Sequence, residues 1–155
     1  MGKDIGDRLP HGVMTAFDGT SLERKIGPAY LLVSTDPDGR PRPCMLSAGE
    51  VLATDDRHLR VGLWPGTHTS QNLARGASIV FCFVSPGTVL YIRGSVHPLP
   101  EAPQAQLARF EIEVASVESD VHPGMPVTQT ISFDVERNRS EVAANWRRQI
   151  EALRA

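Results

Sequence analysis

The stretch Leu59-Arg60-Val61-Gly62-Leu63-Trp64-Pro65-Gly66-Thr67-His68-Thr69-Ser70-Gln71-Asn72-Leu73-Ala74-Arg75-Gly76, followed by Ser78-Ile79-Val80-Phe81-Cys82-Phe83-Val84, decides how the rest of the chain is read. Leu59–Trp64 has strand composition, Pro65-Gly66 turns the chain, and Thr67–Arg75 reads as a short helix closed by Gly76. The apolar run Ser78–Val84 then reads as another strand. Hydroxyl residues crowd the helix start, where the first backbone N–H groups have no intrahelical partner. Such a start is a natural seat for a phosphate. Ser and Thr are also ordinary N-cap residues, so most starts of this kind bind only their own backbone. The strands around it raise the phosphate reading above that default.

Before this stretch, Ala29–Ser34 is a compact strand signal, and Asp36-Pro37-Asp38-Gly39 is a turn in which Pro fixes φ and Asp-Gly accepts left-handed geometry. Arg40–Ser47 resumes an extended path. Pro41 and Pro43 cannot donate to a ladder, which predicts an edge or bulged strand. Such an edge leaves backbone groups of Cys44–Ser47 free to meet a planar heterocycle; the plainer reading is an edge blunted by Pro against aggregation. Glu50–Ala53 is a further short strand, and Asp55-Asp56-Arg57 turns the chain into Leu59. Residues 1–20 show no sustained period and read as a loosely attached arm that orders against a partner or the barrel. Ser21 is expected to cap a short helix stopped by Gly27-Pro28.

After it, Ser85-Pro86-Gly87-Thr88 is a turn into the strand Val89–Val96, which His97-Pro98 is expected to break. A brief helix is expected over Pro103–Arg109. Phe110–Val114 and Ile131–Val135 alternate as half-buried strands, with Thr128 and Thr130 on the polar face of the second. Asn138 with Glu141 resembles a capping pair opening a final helix over 138–155, whose apolar stripe is Val142, Trp146, Ile150 and Leu153. Short strands, dispersed turns and few helices predict a mainly β protein: a barrel of about six to eight antiparallel strands with a C-terminal helix.

At 155 residues the chain fits one domain spanning 1–155. A formal net charge of -2 gives no basic footprint for nucleic acid. No apolar run approaches the roughly 20 residues that span a bilayer, and the first residues lack the apolar core of a signal peptide. Cys44 and Cys82, both in apolar settings and outside any C-x-x-C, read as reduced core residues of a cytoplasmic protein, although sequence alone also permits a disulfide between them.

The order strand, Asp-Gly hairpin, strand, short strand, strand, hydroxyl-rich Asn-Leu helix and apolar strand resembles the FMN-binding split barrel, and more narrowly the pyridoxamine 5′-phosphate oxidase-like family. Ala29–Ser47 and Leu59–Val96 carry the resemblance, with Thr67-His68-Thr69-Ser70-Gln71-Asn72-Leu73 its best single segment. The resemblance implies a homodimer holding FMN in a cleft between two barrels. It places Arg42, Pro43, Cys44, Met45 and Leu46 along the isoalloxazine ring, and Leu63 and Trp64 near the ribityl chain or phosphate. Thr67, His68, Thr69, Ser70 and Asn72 would carry the phosphate. Many family members have Lys or Arg in that turn; here His68 stands there, with Arg75 one or two turns on. The basic residues near the C-terminus of true vitamin B6 oxidases have no match in Asp134–Ala155, so the B6 reaction itself is not supported.

The five histidines are scattered, with no zinc spacing, and no G-x-S-x-G, G-x-G-x-x-G or Walker lysine is present. The expectation is a small cytoplasmic flavoprotein: a dimeric FMN-dependent oxidoreductase acting on a small molecule, with no assigned catalytic residue. The alternatives are a reductase using F420, whose acidic tail would want Arg40, Arg42 or Arg75, a protein that holds flavin or haem without turnover, and a barrel without cofactor that acts as an interaction module.

Overall fold

A computed structural model describes residues 2–101, 106–136 and 138–155. Eight strands form one antiparallel sheet: β1 (Lys3–Gly6), β2 (Tyr30–Thr35), β3 (Pro41–Leu46), β4 (Val51–Asp55), β5 (His58–Leu63), β6 (Ile79–Ser85), β7 (Thr88–Pro98) and β8 (Ala108–Ser119). The helices are α1 (His11–Ala16), α2 (His68–Ala74) and α3 (Arg139–Arg154). Strand order is β3-β2-β6-β7-β8-β5-β4, with β1 added beside β8. The path begins at β3 and ends at β4, so β3 has a free edge.

The sheet curls because its longest strands, β7 and β8, bend. A bulge at Arg93/Gly94 breaks the β7–β8 register. A Cβ on Gly94 would overlap the Glu113 carbonyl, so only glycine lets the two backbones approach there. Beyond the bend β8 changes neighbours, pairing β5 through Ala108–Glu113 and β1 through Val117–Ser119.

Alternation along each strand sends one set of side chains inward. Leu32, Phe81, Ile92, Ile112 and Val117 are fully buried in the barrel. Phe17 stands among aromatic rings there, with centroids 4.8 Å from Tyr30, 5.7 Å from Phe81 and 5.9 Å from Phe83. The N-terminal stretch is therefore more than an arm: β1 extends the sheet, while Val13 and Phe17 enter the core. A second, smaller cluster forms where α3 lays Trp146, Ile150 and Leu153 against Leu22, Ala48 and Leu52. The last turn of α3 is held from the sheet: Arg60 donates to the Leu153 carbonyl at 2.8 Å and Arg109 to the Ala152 carbonyl at 2.8 Å.

Several expectations need correction. Ser21 makes no side-chain cap; it lies in left-handed geometry before a 3-10 turn over Leu22–Lys25. β7 runs on to Pro98 instead of breaking at His97. Of the helix expected over 103–109, residues 103–105 lie outside the described residues, and Ala108 and Arg109 belong to β8. Ile131–Val135 is not a strand. It makes one isolated bridge, Ser132 with Pro28, to the segment that leads into β2. Asn138 bonds the Glu141 side chain at 3.0 Å but gives α3 no side-chain cap. Cys44 and Cys82 are free and half-buried, and β2 separates them: Cys44 lies on the inward face and Cys82 on the outward one.

Candidate functional site

The expected edge strand is present, and its register sets what it offers. Leu32 and Ser34 stand opposite Cys44 and Arg42, while Val33 and Thr35 stand opposite Pro43 and Pro41. The turn closes with the Asp36 N–H donating to the Arg40 carbonyl at 2.8 Å, so even-numbered residues of β3 bond to β2. Pro41 and Pro43 therefore turn their nitrogens to the open side, where proline is tolerated. Between residues 41 and 45 that open edge presents three carbonyls but one N–H, from Met45. It is rich in acceptors and a poor template for a further strand.

The two faces of β3 differ as well. Outward, Pro43 and Met45 continue the cross-strand rows Val33–Val80 and Leu31–Cys82. Among the described residues no helix lies over that apolar face, and Met45 is 61% exposed. Inward, Arg42 and Cys44 meet the start of α2. Asp36 is the hub: it accepts from Arg42 Nε at 2.7 Å and from Asn72 Nδ2 at 2.8 Å. Asn72 Nδ2 also donates to Ser34 Oγ at 3.0 Å, and Asn72 Oδ1 accepts from Arg75 at 3.2 Å. This network ties α2 to the β2–β3 hairpin. It also fixes the Arg42 guanidinium through Nε, while its two Nη groups make no hydrogen bond among the described residues.

The bonds from Arg42 and Asn72, with the nearby charges of Arg42 and His68, hold the Asp36 carboxyl down at about 2. A depressed carboxyl contributes stability above its unfolded value and loses it as pH falls through the folded one. The Asp36–Arg42 contact should thus survive at pH 4 and be lost as pH approaches 2. NMR titration of the Asp36 carboxyl checks this; a midpoint near 4 would contradict it.

At α2 itself, Thr67 is an ordinary N-cap. Its Oγ1 accepts from the Ser70 N–H at 3.1 Å and donates to the Trp64 carbonyl at 3.2 Å. Ser70 Oγ donates back to the Thr67 carbonyl at 2.9 Å. Thr69, Ser70 and Asn72 are buried, and Leu46 and Leu63 belong to the core. Of the residues read from the sequence, Pro43, Met45, Trp64, Thr67 and His68 reach solvent, and Arg42 and Cys44 do so in part. Trp64, 77% exposed, lies at the mouth between β5 and α2. Burial pushes the Cys44 thiol up, away from the thiolate form, with a hydrogen bond from Thr69 opposing. Burial likewise raises Glu50 at the far end of β3, where Ser47 bonds it through Oγ at 3.1 Å.

Asp36 is the residue sequence reasoning missed. Asp-Pro-Asp-Gly is fully explained as a turn, and nothing local tells that its first Asp faces Asn72, 36 residues on.

The fold coincides with that of known proteins. No family model matches the chain. A structure from Lactobacillus delbrueckii, described as a candidate pyridoxamine 5′-phosphate oxidase, superposes with a TM-score of 0.59 at 14% identity over 74% of this chain and 98% of that one. HupZ of Group A Streptococcus gives 0.54 at 10% identity over 81% and 99%. A Clostridium acetobutylicum protein of the pyridoxinephosphate oxidase family gives 0.51 at 12% identity over 67% and 86%. The fold is thus the split barrel of the pyridoxamine 5′-phosphate oxidase-like proteins. In sequence, the chain is 30% identical to the uncharacterized protein YclD of Bacillus subtilis over 152 residues, 97% of this chain and 96% of that protein. The chain belongs to the same family as YclD. Among the described residues no helix is long and apolar enough to cross a membrane.

Proposed function

We propose that this protein is a cytoplasmic, homodimeric split barrel that binds FMN along the free edge of β3 and transfers electrons to or from a small molecule. The observation that carries the reading is Arg42: a guanidinium on the edge strand, fixed through Nε and with both Nη groups left over among the described residues. A fork held in this way suits a phosphate. Exposed His68 and the first N–H groups of α2 stand on the same side. The acceptor-rich edge suits the donor of a flavin ring, with Cys44, Met45 and exposed Trp64 as polarisable surface around it. Thr67, Thr69, Ser70 and Asn72 use their side chains within the chain, so their contribution is to hold the turn. The apolar outer face of β3, β2 and β6 supports a second copy packing there. Bound FMN would supply hydride and electron transfer at its ring; this chain's residues bind, orient and shield it.

The test is an absorbance spectrum of purified protein before and after excess FMN, followed by gel filtration. A flavin band that travels with a dimer supports the reading. Complete loss of FMN, a haem Soret band, or saturable binding of F420 alone would overturn it. Arg42→Ala should weaken FMN by about 1.5–3 kcal/mol, as for a hydrogen-bonded charged group, while riboflavin, which lacks the phosphate, binds it as it binds the parent protein. Equal losses for both ligands would remove Arg42 from the phosphate site.

A further inference from the structure

Away from the β3 edge, an open cavity of about 800 Å³ lies between the 3-10 turn and α3. Its walls include Arg24, Arg139 and Arg147, the hydroxyl residues Thr20 and Ser21, and one carboxylate, Glu23. Three guanidiniums against one carboxylate leave a positive excess. Several exposed arginines elsewhere do have a carboxylate partner: Arg8 pairs with Asp56, Arg57 with Asp7 and Arg93 with Glu118. Arg139 reaches Asp134 only at 3.5 Å. Arg24 and Arg147 have no carboxylate within ion-pairing distance among the described residues. Like charges brought to one cavity in excess of their counter-ions repel, and a bound anion relieves that repulsion.

We propose that this cavity binds a linear oligophosphate, free or as the tail of a nucleotide. Arg139 and Arg147 stand eight residues apart on one helix, about 12 Å along its axis. Arg24 is carried to the same space by the turn that packs on α3. Forks spread over that length match a ligand with several negative groups in a row better than a single phosphate. Arg139 opens α3, so the positive end of the helix dipole adds to the field. The volume suits a small ligand, and Leu22, the apolar side chain of the described wall, is itself buried, so charged and polar groups dominate what the cavity offers.

Calorimetric titration of the full chain with tripolyphosphate at low salt tests this, with orthophosphate and ATP alongside. Saturable binding is expected, at least about tenfold tighter for tripolyphosphate than for orthophosphate. ATP equal to tripolyphosphate identifies the oligophosphate as the whole ligand, and ATP tighter identifies a nucleotide. Arg24→Ala with Arg147→Ala should weaken binding by about tenfold or more, while Arg42→Ala leaves it unchanged. In the unmutated protein, tripolyphosphate should shield Arg24 and Arg147 from arginine-selective phenylglyoxal, read by mass spectrometry. Absence of saturable binding, unchanged affinity in the double variant, loss only in Arg42→Ala, or no shielding would each overturn the proposal.

Discussion

Phe17→Ala should destabilise the protein by about 3–5 kcal/mol, the usual cost of truncating a large buried aromatic. The melting temperature should fall on the order of 10 °C for a chain of this length. Phe17 has no exposed surface, and its ring meets those of Tyr30, Phe81 and Phe83 edge-on. Edge-to-face contacts add to simple burial, and three strands and a loop have little freedom to close the hole. The Phe17 carbonyl also accepts from the Ala53 N–H at 2.7 Å, which ties the segment to β4. Thermal melts followed by circular dichroism check the figure. A change below about 1 kcal/mol would mean that residues 1–20 are an appendage after all.

Gly49→Ala should cost about 2–3 kcal/mol, a large effect for one methyl group. A Cβ at Gly49 would overlap the root of the Trp146 indole. Trp146 is buried under Phe133 and within the small cluster of α3, so the ring has nowhere to swing. α3 must move away, or the corner Ser47–Glu50 must. That corner ends β3, so the second response would also disturb the proposed flavin edge. Gly12→Ala is the control: nothing lies within 4 Å of its Cβ position in α1, and the change should be neutral or slightly stabilising. Parallel denaturant titrations compare the two. Equal midpoints would show that α3 yields freely.

What local sequence could determine, it did. Pro41 and Pro43 at alternate positions marked an edge strand because a missing N–H has one tolerable place in a sheet. The Asp-Gly turn, the Thr67 cap and the stripe of Trp146, Ile150 and Leu153 each state a periodicity or a backbone need that no partner has to supply. The barrel followed from their order. Tertiary structure decided the rest. Phe17 is one aromatic in an aperiodic stretch, and only an aromatic-lined barrel makes it core. Ile131–Val135 alternates like a strand yet makes only one isolated bridge, to Pro28. Thr69, Ser70 and Asn72 suit a phosphate by type, but the packing of α2 buries them and bonds them to the chain itself. Asp36 meets Asn72, and Arg24 comes to line the same cavity as Arg147, only once the sheet has curled and α3 has docked.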